Sequence, residues 1–131
     1  MRKMSEVLLE LAMSVFRDPA ATPSYEAACA ALLLAHVAWN QELLPESPMP
    51  KYKAILREFE KDRPKLRDEL LSPRPERLIR TLRRYKEEHH PKDRRWILVA
   101  GINPEKQVRV EFLDEPPPLE TQPRPAVVRL R

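Results

Sequence analysis

Fifteen prolines share this chain with a single glycine, Gly101. Proline fixes φ and has no N–H to donate, so regular structure runs where prolines are missing. A chain nearly without glycine also has few positions that can turn through positive φ at no steric cost. The proline-free stretches 24–44, 51–63, 76–90 and 92–103 therefore mark where helices and strands fit. PESPMP at 45–50 and SPRP at 72–75 are stiff joints between them.

The spacing predicts helices in the first three of these stretches and just before them. Residues 5–17 carry eight apolar side chains over most of a helical wheel, with Glu6, Glu10, Ser14 and Arg17 sharing the rest. A helix this apolar is covered on several sides. Asp18-Pro19 ends it. A second helix is expected over 23–44, with Thr22 as its N-cap and Pro23 at its first position. Tyr25, Leu32, Trp39 and Leu43 make its bulky face, and Ala27, Ala31, Ala35 and Ala38 lie nearly opposite. This reads as the central helix of a bundle. Tyr52, Ile55, Leu56 and Phe59 then follow helical spacing, and Pro64 breaks or kinks that run. A short piece is expected over 65–71. In ERLIRTLRRYKEEHH at 76–90, Leu78, Ile79, Leu82 and Tyr85 form the apolar stripe.

After residue 94 the period changes. RRWILVAG is almost continuously apolar, and QVRVEFL alternates strictly. GINPEK between them supplies the one glycine and an Asn-Pro turn signal, which predicts a β-hairpin over about 94–113. Alternation of this kind sets one face on the helices and one in water. The fold class expected is therefore α+β and mainly helical. Four to five short helices surround 23–44 in a single domain, 1–115, and a proline-rich tail, 116–131, ends in a possible short strand, AVVRLR.

Several function classes are hard to reach from these residues. One glycine cannot build a phosphate-cradling loop. Cys29 is the only cysteine, so it offers neither an internal disulfide nor a thiolate zinc site. It also lies in an apolar helix, where a thiol is usually inert. No serine has a nucleophile-elbow context. Glu6 and Glu10 interrupt the apolar N-terminal run, which argues against a secretion signal. No apolar run approaches the ~20 residues a membrane span needs. The expected protein is soluble and cytoplasmic, is not an enzyme, and needs no cofactor or metal.

Three features remain as candidate sites. His36 and Asn40, four apart, share a helix face. They could hold a ligand or serve acid–base chemistry, but no orienting partner is identifiable. A buried hydrogen-bonded pair, or a polar spot in an interface, is the plainer reading. Glu87 and His90 have a metal-compatible spacing, but the motif occurs once, and histidine at a helix end also answers the helix dipole. The third feature is charge. Residues 1–49 carry net −3, residues 50–95 net +7, and residues 96–131 balance. Arg77, Arg80 and Arg84 form a helical stripe with Arg94 and Arg95 nearby, as expected of a phosphate-backbone binder. Glu76–Arg80, Arg83–Glu87 and Arg84–Glu88 are i, i+4 pairs that would neutralise much of it. Trp96 is the one stacking residue available to that reading.

The leading expectation is a non-catalytic protein-interaction or accessory subunit. It would bind a protein partner or a second copy through surplus apolar surface on the first two helices or through the projecting tail. The alternative is a nucleic-acid-binding module using the basic segment 74–95.

Overall fold

In a computed structural model, residues 2–45, 57, 60–61, 63–118 and 127–129 are described. The first helix, α1, is Met4–Met13. It stops four residues before the expected end, and the reason is tertiary. Phe16 forms an antiparallel bridge with Leu70. Arg17 donates its backbone N–H to Glu69, and Leu71 donates to Val15. Burial of Phe16 and Leu70 holds this short pairing in place. Ser14 closes the helix by donating its hydroxyl to the Leu11 carbonyl at 2.6 Å.

Helix α2, Tyr25–Leu43, begins two residues later than the Thr22-Pro23 signal suggests. Ser24 is the N-cap instead, its hydroxyl accepting from the Ala27 N–H at 3.2 Å. Glu69 in turn accepts from the Ser24 N–H and hydroxyl, at 2.8 and 2.5 Å. A remote carboxylate thus selects the cap. From Ala27 to Gln41 every α2 residue except Leu33 is buried. All four alanines of the small-residue face are fully covered.

Of the helix expected over 51–62, only positions 57, 60 and 61 are described, all helical. Helix α3, Arg63–Glu69, starts two residues earlier than expected, with Pro64 in its first turn. A proline is tolerated there because the first N–H groups of a helix have no internal partner. Helix α4, Pro75–His89, likewise has proline at its start. It buries Leu78, Ile79 and Leu82, as the stripe predicts, and also Lys86, which the stripe does not. The expected set of four to five helices around a central one is not matched. The described residues hold three helices of ten residues or more and the two-turn α3. The Phe16–Leu70 bridge takes residues at both ends out of helical geometry.

Strands β1, Trp96–Ile102, and β2, Val108–Leu113, form the antiparallel hairpin. Its turn departs from the expected chemistry. Gly101 lies inside β1, opposite Arg109, and Lys106 takes the left-handed conformation instead, at φ 64°. Lys106 donates its N–H to Asn103 at 2.8 Å, and Asn103 Oδ1 accepts from the Gln107 N–H at 2.8 Å. This is a three-residue loop whose last residue is left-handed. Strand β3, Val127–Arg129, pairs in parallel with β1 along Ala100–Ile102, so the sheet order is β2-β1-β3. A bulge between Ile97 and Val99 leaves Leu98 with no opposite residue. The bulge lets Ile97, Ala100 and Ile102 all reach the core, where α2 packs on β1. Val108 and Val110 pack against the same core, and Arg109 and Glu111 are exposed. Among the described residues no helix is long and apolar enough to cross a membrane.

Candidate functional site

His36 and Asn40 meet on one backbone position. Asn40 donates from Nδ2 to the Ile97 carbonyl at 2.9 Å and accepts the Ile97 N–H at Oδ1, at 3.1 Å. His36 Nε2 reaches the same carbonyl at 3.1 Å. A carbonyl only accepts, so Nε2 carries the proton. β3 covers β1 only from Ala100 onward, so Ile97 has no strand neighbour on that side among the described residues. The Asn40 amide takes that neighbour's place, as the requirement that buried backbone groups be paired demands. Trp39 donates to the Arg95 carbonyl at 2.6 Å, and the Tyr25 hydroxyl donates to the Ile102 carbonyl at 3.0 Å. One face of α2 is thereby fastened along the length of β1. This is a structural seam, and His36 is fully buried within it.

Beside the seam sits a lysine that sequence reasoning missed. Lys86 is fully buried. Its ammonium donates to Glu42 at 2.5 Å, to the Asp93 carbonyl at 3.1 Å and to the His90 carbonyl at 3.3 Å, and it lies 4.5 Å from the Trp39 ring centre. Three donors and three acceptors satisfy the group completely. The only signal was that position 86 falls four after Leu82 on the apolar stripe.

Glu10 is the second polar junction. It accepts from Arg2, from the Tyr85 hydroxyl at 2.9 Å and from His90 Nε2 at 2.7 Å. Partial burial pushes its carboxyl up, but the hydrogen bonds from Arg2, His90 and Tyr85 outweigh that and hold it near 2. Glu10 thus joins α1 to α4 and to the turn after it. Partial burial and the Glu10 hydrogen bond both raise Tyr85. His89 stacks on Tyr85, with ring centres 4.2 Å apart, and His90 is taken up by Glu10. Among the described residues no group of three or more His, Cys, Asp or Glu is placed to hold a metal ion.

The five arginines of the basic segment do not stay together. Arg77, Arg80 and Arg84 are exposed on α4, and Arg94 is exposed after it. Arg95 is buried. Its guanidinium donates to both Asp93 oxygens and to the Arg2 carbonyl, at 2.6–3.2 Å, and lies 5.4 Å from the Phe112 ring centre. Burial raises the Asp93 carboxyl, and the bonds from Arg95 bring it below its ordinary value. Trp96 is also buried, at 1% exposure, and its indole N–H has no partner among the described residues. None of Glu76–Arg80, Arg83–Glu87 and Arg84–Glu88 is an ion pair among the described residues.

Most of the apolar surface of α1 and α2 is buried within the chain, and Leu9, Met13, Leu33 and Leu43 stay half-buried. Three large apolar side chains are exposed among the described residues: Leu71, between α3 and α4, and Phe112 and Leu113, each 39% exposed, which end β2. β2 is an edge strand, and among the described residues no strand pairs its outer side. A groove of about 780 Å³ runs beside it, bounded by Arg2 and Lys3 from the start of α1 and by Val108, Val110 and Phe112.

The chain matches no protein-family model, no curated protein and no solved structure.

Proposed function

We propose that this chain is a non-catalytic interaction protein whose contact surface is the open edge of β2. The observation that carries the reading is that an edge strand, unpaired on its outer side among the described residues, coincides with the exposed Phe112 and Leu113 and with an adjoining groove. An unpaired strand edge presents N–H and C=O groups that another extended segment can pair, while a flanking groove selects its side chains. A photo-crosslinking residue at position 112, used in cells, tests this. It should form defined protein adducts that the same group at position 80, on the exposed face of α4, does not. Equal or absent labelling from position 112 would overturn the reading.

A second reading rests on a separate observation, the exposed stripe Arg77, Arg80 and Arg84. These side chains suit a phosphate backbone, and Arg94 extends the charge. Arg95 no longer contributes, because Asp93 engages it. Retention on duplex DNA should fall steeply with salt, and the double substitution Arg80→Glu, Arg84→Glu should shift elution to markedly lower salt. A profile unchanged by that substitution would sink the nucleic-acid reading.

A further inference from the structure

The order of side chains along β2 says more about what covers its edge. The strand reads Val108-Arg109-Val110-Glu111-Phe112-Leu113. Val108, Val110 and Phe112 lie on the face toward the helices, and Arg109 and Glu111 lie on the outer face, both exposed. An edge carrying charges of one sign repels a copy of itself. This edge carries one of each, two residues apart.

Two copies of β2 can pair antiparallel across a two-fold axis perpendicular to the sheet. Directly opposite residues then share a face, so the axis must pass through a residue rather than between two. With the axis at Val110, Arg109 of each copy stands opposite Glu111 of the other, and Val108 stands opposite Phe112. Both are favourable cross-strand combinations, an opposite-charge pair and an aromatic–β-branched pair. Moving the axis to Arg109 puts arginine against arginine. Moving it to Glu111 puts glutamate against glutamate. The strand thus specifies one register and penalises its two neighbours. Self-pairing of this kind is isologous, so both copies use the same patch and the assembly closes at two.

Resting on the reading of β2 as the contact edge, we propose that its occupant is a second copy of this chain. The pairing centres on Val110 and joins the two three-stranded sheets into one of six strands. The groove beside β2 is lined by residues of both its faces, Arg109 and Glu111 as well as Val108, Val110 and Phe112. Phe112 of each copy sits over Val108 of the other.

Charge reversal tests the register directly, since both positions are exposed and far from the core. The wild-type chain should shift from monomer to dimer in sedimentation as its concentration is raised to roughly 100 μM. Arg109→Glu alone, or Glu111→Arg alone, should weaken the dimer by roughly tenfold or more, because each places like charges opposite one another. An equimolar mixture of the two variants should recover a heterodimer. So should a homodimer of the double variant Arg109→Glu, Glu111→Arg. Circular dichroism of each single variant checks that it is folded. A wild-type chain that stays monomeric overturns the self-pairing, as does a dimer that neither single variant weakens. Failure of self-pairing is distinct from failure of the edge reading. If position 112 still labels another protein in cells while the purified chain is monomeric, the edge binds a partner. If position 112 labels nothing, both fall.

Discussion

Asn40 shows how much one side chain can settle. Its amide occupies both backbone groups of Ile97 at 2.9 and 3.1 Å, inside the core and next to a bulge. Asn40→Ala should cost about 1–3 kcal/mol, since it leaves a buried N–H without an acceptor and a carbonyl with one donor fewer. Urea unfolding of the variant measures this, and a loss well below that range would show the amide to be a bystander. His36 donates to the same carbonyl, so the i, i+4 spacing that could have marked a catalytic pair marks a joint between helix and strand. The spacing was visible in the sequence, but its target was not, because Ile97 is 57 residues further along the chain than Asn40.

Between elements, the ties that matter are polar. Glu10 on α1 holds Tyr85 on α4 and His90 just beyond it, and Arg2 completes the junction. The folded carboxyl is held near 2, below its usual 4.5, by donors that outweigh the effect of burial. A carboxylate lowered on folding stabilises above its ordinary value and loses that contribution as pH falls. Wild type should therefore be more stable than Glu10→Gln at neutral pH, and the gap should close as pH drops from about 4.5 toward 2. Chemical unfolding of both proteins across that range checks the sign, and a gap independent of pH would assign Glu10 a purely steric role. Lys86 and Glu42 make a similar tie between α4 and α2. Neither pairing could be foreseen, because helical periodicity places residues on faces, Lys86 on the apolar one included, and says nothing of which will meet.

At the scale of the molecule, the uneven charge of the chain is redistributed by folding. Some of the cations of 50–95 are drawn inward, Lys86 onto Glu42 and Arg95 onto Asp93, and the arginines of α4 keep the solvent. Most of the apolar surface of α1 and α2 is likewise buried, since α2 packs against α1, α4 and β1. Of the large apolar side chains described, Leu71, Phe112 and Leu113 stay exposed, the last two on β2 beside the opposite charges of Arg109 and Glu111.

By itself the sequence determined the α+β class, because apolar periods of 3.6 and 2 residues occupy separate proline-bounded stretches. It also determined the hairpin and the stripe that buries Leu78, Ile79 and Leu82. Only the tertiary structure decided where α1 and α2 stop and start and which cations are buried. Those outcomes depend on Glu69, Leu70, Glu42 and the Arg2 carbonyl, each distant in sequence from the group it engages. Local pattern fixes which face of an element is apolar. The partner that satisfies its polar groups is chosen only when the elements come together.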